Sequence, residues 1–357
     1  MALDPTNRRA AIVGTGLIGG SIGMALRAQG WAVTGIDADE ARARRAVELG
    51  AVDTVGIDPT VDVTFIAAPV EAIPALARRA LADTTGAVTD VGSVKASVVA
   101  AVSDPRFVGG HPMAGSEQLG VDGADPGLFQ GAVWVLTPVE TTDSKAYALV
   151  RSVVATLGAE VLALPPERHD ALVAVVSHVP HLTAAALMGL AATGAEEHKT
   201  LLRLAAGGFR DMTRVAAGSP AIWPDICAQN RVAIVDVIDT LLAALQDLRG
   251  VVDRADRAAL LETLGRAQAA RLNLPSRVAQ PGAMAEVRVP VPDRPGSLAE
   301  VTTLATDLGV NIADLEIAHS TEGDRGVLLM LVEVDQAEAF RRALSDRGYR
   351  PSIQGLA

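Results

Sequence analysis

The chain has 357 residues, enough for two or three domains, and carries 31 Lys and Arg against 42 Asp and Glu, a formal charge of −11. That surplus argues against general affinity for nucleic acid or an anionic membrane, so an anionic substrate would need its own local arginines. Apolar residues make up 49% but aromatics only 3%, a balance that favours packed helices and α/β layers over a β-sandwich.

Residues 1–7 form a polar arm with no apolar signal core. The single cysteine, Cys227, cannot close an intrachain disulfide, which suits a reducing cytoplasm, the expected location. From residue 10 to about 165, short apolar runs alternate with helical stretches, the mark of βαβ units. The runs are 11–13, 32–36, 63–67, 87–90, 107–108 and 132–136. Functional groups are then expected at the carboxyl ends of these strands.

The first run leads directly into Gly14-Thr15-Gly16-Leu17-Ile18-Gly19. In this spacing the first glycine permits a tight turn and the second lets the backbone approach a pyrophosphate. The third lets the helix pack on the strand, with its free N–H groups facing the phosphates. Asp37 ends the second run, where a carboxylate accepts bonds from the adenosine ribose hydroxyls and repels a 2′-phosphate. Arg42 and Arg44 lie nearby, but no arginine follows Asp37 directly. NAD is the expected cofactor.

Four later segments place polar groups in apolar or glycine-rich surroundings. Asp90-Val91-Gly92-Ser93-Val94-Lys95 ends the fourth run and starts a helix, so Ser93 is either a helix cap or a hydroxyl in the cleft. His111, framed by Gly109, Gly110 and Pro112, stands at the next strand end, and its ordinary pKa suits proton acceptance near neutrality. Ser93 could orient it or share its substrate hydrogen bond. Val175-Val176-Ser177-His178-Val179-Pro180-His181 opens an apolar helix, where His178 reads as structural more than His181 does. Gly207 to Arg214 follows, in which Arg214 can clamp a carboxylate, while Arg210 and Asp211 read as paired with other groups.

Beyond residue 166 the pattern turns to long helices. Residues 171–193 are apolar enough to be mistaken for a membrane span, but His178, Pro180 and His181 would be costly there, and a helix buried in protein is expected. Val232, Val235, Ile238, Leu241, Leu242 and Leu245 recur at helical spacing, as a core or dimer stripe. A linker at 274–282 precedes a compact unit of mixed strand and helix signals. No Cys/His cluster offers a metal site.

Gly14 to Ser21, Asp90 to Lys95, Gly110 to Glu117, Val176 to His181, Gly208 to Arg214 and Ala221-Ile222-Trp223, in this order, resemble the prephenate dehydrogenase family. The terminal unit, with Asp293-Arg294-Pro295-Gly296-Ser297 and Gly309-Val310-Asn311-Ile312, resembles the ACT domain, a βαββαβ ligand-sensing module. The resemblance implies an α/β fold: a Rossmann-type parallel sheet (8–165), an all-helical substrate and dimerisation domain (166–273) and a small α+β ACT domain (284–357). It implies NAD-dependent oxidative decarboxylation of prephenate to 4-hydroxyphenylpyruvate, with His111 taking the ring-hydroxyl proton and Ser93 bonded to both. Arg214 would bind the ring carboxylate, His181 would line the pocket, and Ser116 and Glu117 would guard it. Trp223 would pack near the site from the partner of a homodimer. Pro295, Gly296, Asn311 and Ile312 would bind an effector, expected to be tyrosine. Arogenate dehydrogenase is the rival within the family. A hydroxyacid dehydrogenase of the 6-phosphogluconate type would rely on a lysine and asparagine, which His111 fits poorly. An inactive amino-acid sensor would have lost His111, Ser93 or Arg214, and all three are present.

Overall fold

The computed structural model describes residues 8–115, 118–197, 201–273, 284–292, 294–319 and 325–355. Eight strands form the first sheet: β1 (Arg9–Val13), β2 (Ala32–Ile36), β3 (Thr54–Val55), β4 (Val63–Ile66), β5 (Ala87–Asp90), β6 (Phe107–Pro112), β7 (Val133–Thr137) and β8 (Glu160–Ala163). Their order is β3-β2-β1-β4-β5-β6-β7-β8. All neighbours run parallel except β6 and β7. The expected parallel sheet is therefore mixed at one pair.

Chain order reverses between β1 and β4, so the crevice above their carboxyl ends is the switch point where such sheets bind ligands. Helices cover both faces, with Ile12, Phe65, Val108 and Trp134 in one core and Ile66, Ile73, Val88 and Phe107 in the other.

β5 and β6 pair only at Val88–Phe107 and Thr89–Val108. Beyond that, side chains take over the ladder. Asp90 Oδ1 accepts from the Gly110 N–H (3.1 Å), and the fully buried Lys95 ammonium bonds Asp90 and donates to the Gly110 carbonyl (2.7 Å). Gly110 must be glycine, because a Cβ there would stand 2.7 Å from the Asp90 carbonyl oxygen. This clamp sets the strand end that carries His111.

The chain divides by compactness into two units, residues 1–193 with 213–249, and 194–212 with 250–357. Compactness alone thus groups most of the helical region with the sheet. The physical reason is that the helical region owns little core within one chain: its own cluster has only Ala174, Val179 and Ile234 fully buried. The helix Pro166–Gly194 is long and apolar enough to cross a membrane, yet only 28% of its most apolar window is buried. Within one chain this helix is therefore largely uncovered. Val175, Val176 and Leu190 are exposed on it, as are Val232, Val235, Leu242 and Leu245 of the stripe, while Ile238 and Leu241 pack inward.

In the second unit β9 (Met284–Pro292), β10 (Asp314–His319), β11 (Arg325–Glu333) and β12 (Ser352–Gly355) form an antiparallel sheet ordered β10-β11-β9-β12. Helices Ser297–Asp307 and Val334–Asp346 complete βαββαβ. The core takes Val287 and Val289 from β9, Leu328 and Met330 from β11, and Val301, Phe340 and Leu344 from the helices. Pro290 and Pro292 are tolerated in β9 because pairing with β12 ends at Arg288.

Lys95→Met is expected to leave Asp90 charged, buried and unpaired, and so to destabilise the first unit by about 3–5 kcal/mol. Urea unfolding followed by tryptophan fluorescence measures this. A loss under about 1 kcal/mol would show that the pair is not holding the strand end.

Candidate active site

Two adjoining cavities lie along the switch point. One, of about 560 Å³, is lined by Gly14, Gly16, Ile36, Asp37, Arg42 and Arg79. The other, of about 520 Å³, is lined by Gly16 to Gly19, Ser93, His111, Ala114, Ile222 and Asp225. Gly16, Ala67, Ala68 and Pro69 belong to both, so the glycine loop bridges the two halves.

The three glycines have separate physical duties. Gly14 has φ of +94° and a Cβ there would stand 2.1 Å from the Ala67 carbonyl oxygen; one at Gly19 would stand 1.9 Å from that of Gly14. Nothing lies within 4 Å of a Cβ at Gly16, so its backbone is open to the cleft. The helix Leu17–Ala28 has no side-chain cap and no acidic residue in its first turn, which leaves its N–H groups for phosphate oxygens. Asp37 accepts from the Thr15 N–H (2.8 Å) and Oγ1 (3.3 Å), and Arg42 reaches its other oxygen at 3.4 Å. Leu17 and Ile18 line the cavity on the His111 side. These features fit a dinucleotide: an open phosphate loop between a carboxylate-bearing half and a half that holds a histidine.

His111 is half-buried at the end of β6. The partner of its ring is His169, not Ser93: Nδ1 lies 2.8 Å from His169 Nε2. His169 Nδ1 lies 2.8 Å from Asp170 Oδ1. Asp170 also accepts from the backbone N–H groups of Lys95 and Ala96, both at 2.8 Å, and so caps the helix Ala96–Ala101 from a distant part of the chain. Asn230 Nδ2 donates to the Asp170 carbonyl (2.9 Å) and lies 3.1 Å from His178 Nδ1. Burial pushes His111 well below the usual histidine range, with His169, Lys95 and His178 adding to the shift. Burial also lowers His178, to about 4.

The helix carrying these groups widens to a π turn at Ala174–His178. Pro180 has no N–H for the Val176 carbonyl, and a π turn just before it is one way to absorb that loss. The turn aims both His178 and His181 at Trp223, which stacks on His181 (3.8 Å between centroids, 17° between planes) and meets His178 edge-on (6.2 Å). Trp223 was expected from a partner subunit; within this chain it already covers His181, because the helix Trp223–Gln229 packs along the sheet end. A Cβ at Gly218 would stand 3.8 Å from His181, which puts the short turn Arg214–Ala217 beside that ring. Arg214 itself is exposed on that turn. Ser116 and Glu117 lie outside the described residues. His169, Asp170 and Asn230 went unselected in the sequence; the adjacent His-Asp pair at a helix start was the available signal.

Among the effector candidates, Gly296 adopts φ of +95° at the start of its helix, next to Pro295, and Asn311 is exposed. The side chain of Ile312 is partly buried against the core of this unit. A cavity of about 390 Å³ in this unit is lined instead by Arg294, Glu300, Arg347, Tyr349 and Arg350, with Tyr349 donating to Glu300 at 2.6 Å. Among the described residues no group of His, Cys, Asp and Glu could hold a metal ion.

A mixed α/β sheet with a glycine phosphate loop at its switch point and a histidine in the same cleft defines a nicotinamide-dependent oxidoreductase. Models of the prephenate dehydrogenase nucleotide-binding and dimerization domains match residues 22–163 and 165–266, and an ACT domain model matches 285–346. The chain is 34% identical to a prephenate dehydrogenase of Bacillus subtilis over 91% of its length and 92% of that protein. Among solved structures, prephenate dehydrogenase from A. aeolicus in complex with hydroxyphenyl propionate and NAD+ superposes with a TM-score of 0.72 at 31% identity, covering 77% of this chain and 100% of that one. Synechocystis arogenate dehydrogenase gives 0.66 at 32%, covering 74% and 98%. The chain belongs to the prephenate dehydrogenase family and is an NAD-dependent oxidoreductase.

Gly16→Ala is expected to leave thermal stability unchanged and weaken NAD binding at least about tenfold, since only the ligand would meet the new methyl. Gly14→Ala is expected to fail to fold. Titration of each purified variant with NAD, beside its melting curve, separates the two effects. A second expectation concerns pH. An unfolded histidine protonates near 6.5 and folded His178 near 4, so stability is full above 6.5 and falls as pH drops between those values. His178→Gln should make that fall in Tm shallower without abolishing it, because His111 is shifted in the same direction. An unchanged slope would show that His178 charges freely in the fold.

Proposed function

We propose that the chain oxidises prephenate with NAD, releasing carbon dioxide and 4-hydroxyphenylpyruvate, as its relative from Bacillus subtilis is named to do. The observation that carries this reading is His111: a half-buried imidazole held at one nitrogen, in a cavity shared with the glycine loop and Ser93. Bound nicotinamide would accept the hydride from the carbon bearing the ring hydroxyl. His111, kept neutral by burial, takes the hydroxyl proton, and Ser93, which lines the same cavity, would hold that oxygen. Arg214 would bind the ring carboxylate, with His181 under Trp223 lining the pocket and Ser116 and Glu117 guarding it. Loss of carbon dioxide then makes the ring aromatic, which drives the step, so the protein's work is positioning and one proton.

Arogenate is the second reading, supported by the likeness to the Synechocystis enzyme. The exposed apolar residues of the two long helices, on a segment matched by a dimerization domain, support a homodimer. The ACT unit would sense an amino acid, which we take to be tyrosine. The enzyme would work in the cytoplasm.

NADH formation with prephenate and with arogenate, compared as kcat/KM in one assay, tests the substrate. In the same assay His111→Asn is expected to lower kcat about 10³-fold. Activity on neither substrate, or a His111→Asn variant as fast as wild type, would overturn the proposal.

A further inference from the structure

His111 does not meet solvent or a carboxylate at its inner nitrogen; it meets a second imidazole. The heavy-atom contacts fix the direction of the hydrogen bonds. Asp170 receives two backbone N–H groups, from Lys95 and Ala96, and faces His169 Nδ1 with the same oxygen that accepts from Lys95. A carboxylate only accepts, so His169 Nδ1 carries the hydrogen and His169 Nε2 is left with a lone pair. That lone pair, 2.8 Å away, makes His111 Nδ1 the donor. The free lone pair of His111 is therefore on Nε2, the nitrogen left for the substrate.

We propose that His169 and Asp170 are positioning residues that set the tautomer of His111 and hold the substrate proton on the enzyme for the length of one turnover. The inference rests on the reading of His111 as the base for prephenate or arogenate. The chemistry asks for such a store. The C–H bond breaks with its electron pair going to the nicotinamide, and the O–H proton goes to His111 Nε2. The C–carboxylate bond then breaks, carbon dioxide leaves, and the bond's electron pair enters the ring to make a phenolate. The phenolate oxygen takes the proton back. Two electrons move from substrate to cofactor and no proton is released overall. A base open to water could lose its proton before the phenolate forms. Here the proton enters a closed chain in which His111 Nδ1–H can lean on or pass to His169 Nε2, with the Asp170 carboxylate at the far end.

Among the described residues the other charged and titratable groups around His111 and His169 are Lys95 and Asp90 below β6, His178 on the turn that follows Asp170, and Asp225 in the cavity lining. Lys95 is paired with Asp90, and His178 is bonded to Asn230, so neither competes for the inner nitrogen of His111.

The test is His169→Gln in the full-length enzyme with NAD, with kcat and KM measured across pH beside wild type. Glutamine offers an oxygen to His111 Nδ1–H but cannot take the proton or pass charge toward Asp170. The expected result is a kcat about 10²-fold lower, KM for the substrate within about twofold, and an acid limb moved to lower pH, because protonated His111 has lost its support. Unchanged kcat and pH profile, or a lower kcat with an unmoved acid limb, would overturn the proposal. A second readout needs no turnover: two low-field imidazole N–H proton resonances are expected in the cofactor-free protein, and His169→Gln should remove the one from His169 and shift the one from His111 upfield. If both persist unshifted there, the relay is wrong; if wild type turns over neither substrate while the resonances behave as expected, only the substrate reading fails.

Discussion

The Asp170 carboxylate is the contact on which the site depends. It lies on the first helix after the sheet, yet two of its bonds go to the backbone that follows β5, and a third faces His169. One buried side chain thus docks the helical segment onto the sheet end and fixes the imidazoles between them. Its own backbone carbonyl is held by Asn230, from a third part of the chain. The helical region needs this anchoring because its apolar cluster within one chain is so small. Polar contacts of this kind carry little net stability but are costly to leave half-made, which makes the docking specific rather than strong.

The parts legible in the sequence are those encoded over short spans. Three glycines at fixed spacing need only the strand and helix on either side, and Asp37 needs only the end of the next strand. The ACT-like unit was legible for the same reason, since its alternating β9 and its glycine turns are local. The sheet's edges were not. Thr54–Val55 is two exposed residues, and Glu160–Ala163 has no buried position, so neither shows an apolar alternation. The reversal of β7 was not legible either, because direction is set by a long connection and not by the strand's own residues.

Within the site the same rule divides what could be read. His111 stood out because glycines and a proline frame it. Its ring partner did not, since His169 lies 58 residues away and acquires meaning only through contact. Asp170 is 75 residues from Lys95, and Asn230 is 60 from Asp170. The resemblance pairs Ser93 with His111, and the fold gives the inner nitrogen of that ring to His169 while Ser93 lines the same cavity.

Electrostatics explains why a second imidazole is a better neighbour for His111 than a carboxylate would be. A carboxylate in direct contact would raise the histidine's pKa and hold it protonated before substrate arrived, which would block it as a base. It would also add negative charge to a cleft that must admit a phosphate-bearing cofactor and a carboxylate substrate on a chain already at −11. Placing His169 between them keeps the anion one ring farther away, behind a neutral group. Burial then favours the uncharged form of His111 in the resting enzyme, and the proposed relay would make its charged form tolerable once a proton is delivered. On that proposal the His111 ring would be neutral while an anion binds, and positively charged only while it holds the substrate's proton.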